Sequence, residues 1–301
     1  MVWLTVRQHR MQLVVTSGLL VAFGVLLLVN ALVTRHAIAG LSGEALDEVL
    51  PDRVYGLRLL VTFLPAASAL VGLFWGAPLL AREVERGTHV LAWTQSVSRS
   101  RWFSRKLAVL AVAVTLCGLA VGAMVDAWLD TFAGTPYADR FANYGVFAGS
   151  GVAAAGWWLF GFTLGVAAGA LLRRLLPAMA ATLAVFVLAL LVVFALREHY
   201  ATPVRVVISV GQVTPRAVEE GMVVASGCLD AAGTETALSA SPAYLSSAVT
   251  PPACPTGSRE VTYYQPAGRY WRFQWTEAGI LLVGASLSAG VAYQRVARRA
   301  L

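Results

Sequence analysis

The side chains that could carry chemistry in this sequence are few and scattered. Its four histidines, His9, His36, His89 and His199, lie far apart, and none belongs to an HExxH zinc pattern. The three cysteines, Cys117, Cys228 and Cys254, form no CxxC pair, and there is no GxSxG nucleophile elbow. Metal and nucleophilic catalysis are therefore not expected. A GxxxxGK[ST] phosphate loop is missing too, so the chain is expected to bind no ATP and no other cofactor of its own. Two carboxylates, Asp126 and Glu277, fall inside apolar stretches but near their ends. They are expected to be interfacial rather than parts of a mid-membrane proton relay, which weakens an ion-driven carrier. What remains is a compact charged group, Arg82, Glu83, Glu85 and Arg86, followed at once by Gly87.

The elements that hold this group are set by composition. Of 301 residues, 58% are hydrophobic and only 13% charged, too apolar for an ordinary soluble domain. Crossing the ~30 Å hydrocarbon core takes about 20 apolar residues in helical form, because backbone polar groups must be satisfied within the segment. Six stretches qualify: 13–33, 59–80, 107–129, 148–172, 175–196 and 276–293. The first follows Arg7 and Arg10 but is long for a signal-peptide core and lacks a small-x-small cleavage site, so it is read as retained. The expected fold is an all-α integral membrane protein forming one transmembrane domain over residues 1–301.

Six spans put both termini on one side. Arg7, Arg10, six basic residues from Arg82 to Lys106, Arg173, Arg174, Arg295, Arg298 and Arg299 place thirteen positive charges on that face, against Glu83 and Glu85 alone. The remaining ten basic residues are spread over longer loops on the other face, so both termini are expected in the cytoplasm. The net charge of +7 is then a topology signal and not a nucleic-acid footprint.

Of the outer loops only 197–275 is long enough to fold by itself, and it is rich in Ser, Thr, Ala and Pro. Tyr263, Tyr264, Tyr270, Trp271, Phe273 and Trp275 near its end suit the headgroup level. Cys228 and Cys254 lie in this exported loop, where an oxidising exterior favours a disulfide between them over two free thiols. Glycines recur one turn apart: Gly72 and Gly76, Gly118 and Gly122, and Gly161, Gly165 and Gly169. That spacing lets helix backbones approach closely in lipid, within one bundle or, less readily, across a dimer.

The charged group opens a segment, 81–106, that joins spans two and three. Gly87 is suited to end a helix, Thr88 to cap a short new one bearing Val90, Leu91 and Trp93, and Ser98 to cap the helix returning through Arg101 and Lys106. Such an element either docks into a cytoplasmic partner or lies on anionic headgroups; physical reasoning leaves the two even. The wording resembles the coupling region of type two permeases of ATP-binding-cassette (ABC) transporters, at Glu83, Glu85, Gly87, Thr88, Leu91, Ser98, Arg99, Arg101 and Lys106. LAWTQSVSRSRW is similar to a subgroup common in actinobacteria, as are WLTVRQHRMQ at 3–12 and YQPAGRYWRFQWTEAGILL at 264–282. Many type two permeases carry a proline just before the Ser-Arg step, where this chain reads Thr94, Gln95, Ser96 and Val97.

The resemblance implies six transmembrane helices, an N-terminal interfacial elbow helix at 3–12, a cytoplasmic coupling segment at 81–106 and a long extracellular loop before the last span. It implies an exporter permease that pairs with a second permease copy and rests on a separate ABC ATPase subunit, which would hold ATP and Mg. The alternative is a non-transporting membrane anchor or sensor that uses the extracellular loop. An intramembrane enzyme is disfavoured by the missing polar constellation.

Overall fold

The computed structural model describes residues 10–85, 99–209, 215–230, 232–239, 254 and 259–298. Among them are six helices long and apolar enough to cross a membrane: Arg10–Ile38, Glu48–Arg82, Ser100–Asp130, Gly151–Leu172, Leu175–Arg197 and Ala267–Ala297. In chain order the helices are α1 (Arg10–Ile38), α2 (Glu44–Thr62), α3 (Leu64–Val71), α4 (Pro78–Glu85), α5 (Arg99–Asp130), α6 (Tyr144–Gly149), α7 (Gly151–Leu172), α8 (Leu175–Arg197), the single turn α9 (Arg216–Glu219) and α10 (Tyr270–Arg298). Span two is thus α2, α3 and α4 in series, with a π-helical turn, Gly72–Gly76, between α3 and α4.

Span four, α7, is the hub because its sequence is small. Gly and Ala dominate GVAAAGWWLFGFTLGVAAGALL, so spans two, three, five and six can all close on it, and it is buried around most of its circumference. A Cβ on Gly76 would overlap the Phe162 carbonyl, and one on Gly165 the Gly72 carbonyl. Gly161 and Gly169 likewise abut the Ser68 and Ala77 carbonyls of span two, while Gly118 and Gly122 of α5 press on Ala155 and Gly151. All these glycine contacts lie within one bundle. Polar glue joins the outer spans: Asn30 of α1 donates to the Arg53 carbonyl (2.9 Å) and accepts from Trp128 Nε1 (2.9 Å).

Span four does not begin at residue 148 as expected. The helix breaks at Ser150, whose backbone is extended, and Gly151 takes a φ of 54°, which a side chain would oppose. The preceding turns form α6, capped by Asn143 Oδ1 accepting from Val146 N at 2.9 Å and buried along its whole length. Gly145 of α6 abuts the Thr62 carbonyl, where span two is itself interrupted before Pro65.

The all-α expectation needs correction on the face away from the termini. Residues between spans five and six form a four-stranded antiparallel sheet in the order β1-β4-β2-β3, from β1 (Val204–Ser209), β2 (Met222–Leu229), β3 (Glu235–Ser239) and β4 (Arg259–Gln265). Val204 pairs with Tyr264 and Val223 with Tyr264 on the other side, so β4 is central. The strands VRVVIS, MVVASGCL and REVTYYQ are rich in β-branched and aromatic residues, which suit a pleated, half-buried surface. Cys228 of β2 is bonded to Cys254, with Cα atoms 5.5 Å apart.

The sheet is seated on the bundle through Met222, which packs with Phe141, Tyr144, Phe147, Tyr270 and Phe273. Gln265 Nε2 donates to the Ala201 carbonyl (2.6 Å) and Arg269 to that of Thr202 (2.6 Å). The aromatic run expected at the headgroup level therefore divides. Trp271 and Trp275, one turn apart, face outward at 55% and 64% exposure, while Tyr264, Tyr270 and Phe273 are buried.

Candidate functional site

Two polar arrangements stand out, one at each end of the bundle. At the end that carries the termini, α4 extends beyond span two and finishes at Glu85. Spans four and five are joined there by a two-residue turn, Arg173 and Arg174. Arg173 is left-handed, with a φ of 57°, and its N–H donates to the Gly169 carbonyl at 3.1 Å. Arg174, the residue before α8, offers no side-chain cap. Glu85 supplies it: its Oε1 accepts from Leu175 N at 2.8 Å, placing a carboxylate on the positive end of span five. A residue of the segment singled out in the sequence is thereby tied to a span that lies ninety positions away.

Of the other residues expected in that segment, Arg101 is exposed near the start of α5. Lys106 is buried and its Nζ lies over the Trp102 ring at 5.0 Å. For Glu83 and Arg99 the structure describes the backbone alone, and Gly87, Thr88, Leu91 and Ser98 lie outside the described residues, as does most of the expected elbow.

At the opposite end is a buried polar centre built to satisfy the broken start of α7. The first N–H groups of a helix have no partner within it. Gly151 N donates to Asp126 Oδ2 of α5 (3.0 Å) and Ala153 N to Gln274 Oε1 of α10 (2.8 Å). Gln274 Nε2 returns to the Phe147 carbonyl (3.0 Å), and Ser150 Oγ bonds the Tyr270 hydroxyl (3.0 Å). Asp126 also pairs with Arg140 (3.4 Å), which in turn pairs with Asp130.

The centre's core is an ion pair between Arg197, the last residue of α8, and Glu277 of α10, both 0% exposed. Arg197 Nε donates to Glu277 Oε2 (2.9 Å), Nη2 to Oε1 (3.0 Å) and Nη1 to the Tyr144 carbonyl (3.1 Å). Trp157 Nε1 of α7 donates to Glu277 Oε1 at 2.9 Å. The guanidinium is enclosed by the rings of Phe147, Tyr144 and Phe194, its carbon 4.2 to 4.9 Å from their centroids. Glu277 was expected at the lipid interface. It is instead wholly inside protein, and both its oxygens are engaged. The signal that could have found the pair is Arg197, an arginine closing one apolar run and matching the carboxylate that opens the next.

Outside the spans, charge is held by neighbours. Burial pushes the Asp139 carboxyl up, against the opposing pull of the Phe141 and Ala142 amides and of Arg58. Burial also acts against the Arg140 charge, but Asp130 and Asp126 outweigh it and hold its pKa above the ordinary value. On the sheet, hydrogen bonds from Arg205 and Tyr263 hold Glu235 below the usual carboxylate range. Burial, then the charge of Glu277, pushes the Tyr200 phenol well up, so it stays neutral. Among the described residues no three His, Cys, Asp or Glu side chains gather as metal ligands.

Six apolar helices, four of them closing on a small-residue hub that is itself one of the six, define a polytopic helical membrane protein. A family model described as "ABC-2 membrane transporter related" matches residues 11–197, and the chain belongs to that family. The matched region covers spans one to five and ends at Arg197, so the sheet and span six lie outside it. No curated protein and no solved structure matches the chain.

Proposed function

We propose that this chain is the membrane-spanning permease subunit of an ATP-driven exporter, coupling hydrolysis on a separate ABC ATPase to translocation of a substrate. Beyond family membership, the observation that carries the reading is the hydrogen bond that Leu175 N donates to Glu85. It gives the end of α4, where the coupling segment begins, a direct hold on span five. In this reading residues 81–106 rest on the ATPase, with Glu83, Glu85, Gly87, Thr88, Leu91, Ser98, Arg99 and Arg101 forming or shaping the contact. The termini are cytoplasmic, the elbow expected at 3–12 is confined to the residues before α1, which begins at Arg10, ATP and Mg sit on the partner, and two permease copies complete the path. ATP-driven closure of the ATPase does work on the bundle only if the segment binds two ATPase states unequally.

Purification of the tagged chain from native membranes, followed by mass spectrometry of what accompanies it, is the primary test. A near-stoichiometric cassette ATPase that is lost when residues 86–98 are scrambled supports the reading; a well-folded chain recovered without any ATPase sinks it. Glu85→Ala is expected to leave ATPase binding in place while uncoupling hydrolysis from transport in vesicles. Unchanged transport would remove Glu85 from the mechanism. The disulfide-linked sheet favours a second reading, an anchor or sensor, in which deleting the sheet abolishes function and scrambling 86–98 does not.

A further inference from the structure

Span one is only loosely packed over the half nearer the termini, where Leu13, Leu20 and Phe23 reach the core but none is fully buried. The buried residues of α1 are Leu27, Ala31 and Thr34, all in the half away from the termini, where it packs on α2 and α5. Gly24, against Met124, marks a close approach, whereas nothing lies within 4 Å of a Cβ at Gly18. Between the half of α1 nearer the termini and span two lies a groove of about 620 Å³, within the usual range for ligand sites. Its walls are almost wholly apolar, among them Leu19, Phe23, Ala67, Leu70 and Phe74.

A backbone defect lies along the span-two wall of the groove. Pro78 has no N–H to offer the Phe74 carbonyl four residues back, and the turn just before it is π-helical. Gln12 of α1 takes up that carbonyl, its Nε2 donating at 3.0 Å, and so pins the near end of α1 across the groove. Eight residues beyond Phe74, roughly 12 Å along the helix, is Arg82, the last residue of span two, the single charged residue in the lining and without an ion pair among the described residues. From Met11 to Phe23 the groove follows about 12 residues of helix, or roughly 18 Å at 1.5 Å per residue. One leaflet of hydrocarbon is about 15 Å deep, half of ~30 Å.

From this we infer that the groove is a binding site for a single phospholipid, its phosphate on Arg82 at headgroup level and one acyl chain along α1 to the bilayer midplane. A cation at one end, an apolar slot one leaflet deep and a blind inner end match that molecule in charge, polarity and length. Arg82 falls within the segment 81–106 assigned above to the ATPase contact, but lipid binding at the groove requires no ATPase.

The test is native mass spectrometry of the full chain in detergent, titrated with phosphatidylglycerol and with diacylglycerol of the same acyl chains. One saturable phosphatidylglycerol per chain is expected, bound roughly tenfold more tightly than diacylglycerol, the scale of one charge-assisted contact. Arg82→Gln, folded as judged by an unchanged unfolding temperature, should erase that preference. Ala67→Trp, which fills the slot, should weaken both lipids, and Leu188→Trp on the lipid-facing side of span five should weaken neither. Equal phosphatidylglycerol binding by the parent and Arg82→Gln would leave only unspecific annular lipid and overturn the inference. So would an Ala67→Trp variant that keeps its lipid but loses a dimer, because a second copy would then be the occupant.

Discussion

At the scale of single residues, the Arg197–Glu277 pair is the feature whose energetics are most one-sided. Both groups are fully buried, and each nitrogen of the guanidinium and each oxygen of the carboxylate has a partner. A pair in that state adds little net stability over an apolar replacement, but removing one member strands the other and costs about 3–5 kcal/mol. Glu277→Leu and Arg197→Met are each expected to lower the unfolding temperature in detergent markedly, and the double variant to recover most of the loss. A double variant as unstable as the worse single would show that Trp157 and Tyr144, not the pair, set the requirement. Glu277 illustrates where residue-level reading fails: a carboxylate near a span end looks interfacial until the position of its partner in another helix is known. Glu85, in contrast, was legible as a residue of interest from its charge and its neighbours, while its acceptance of a bond from Leu175 N depends on how spans two and five meet.

At the scale of elements, small residues decide which helices can touch. Gly76 and Gly165 bring the backbones of spans two and four together so closely that a methyl group at either would overlap a carbonyl oxygen. Gly165→Ala is expected to destabilise the bundle by about 1–3 kcal/mol, the scale of an overpacked core, whereas Gly18→Ala, in open space, should be neutral or slightly stabilising. Thermal unfolding of the two variants side by side checks this, and equal behaviour would mean that spans two and four can move apart without loss. The six helical segments were readable because length and apolarity answer to the bilayer alone. The sheet was not: the Ser, Thr, Ala and Pro content of the outer loop masked short strands such as VRVVIS and REVTYYQ, whose pairing joins residues far apart in sequence. The break at Ser150 escaped for a similar reason, since Gly151 reads as one more small residue in a small-residue helix and its positive φ is imposed by Asp126 and Gln274 from two other spans.

At the scale of the whole molecule, the sheet clamps the two chain ends that leave and re-enter the bundle, because β1 follows span five, β4 precedes span six, and the two are paired from Val204–Tyr264 to Ser209–Arg259. The Cys228–Cys254 bond closes a loop of 26 residues within this clamp, worth roughly 3.5 kcal/mol by loop entropy. Reduction is expected to speed proteolysis of residues 210–258 while leaving the helical bundle intact; a bundle that unfolds on reduction would show that the two halves are one cooperative unit. The buried pair also constrains how the protein is made. Arg197 is synthesised 80 residues before Glu277, so as the ribosome works through the intervening segment, span five carries a cation with no counterion. Its final seat among Phe147, Tyr144 and Phe194 becomes tenable only when span six arrives. Assembly of this membrane protein therefore ends with a step that depends on its last helix, and nascent chains stopped before residue 277 should remain targets for membrane quality-control proteases. Pulse-labelled truncations ending just before and well after that position would reveal the dependence as a difference in lifetime.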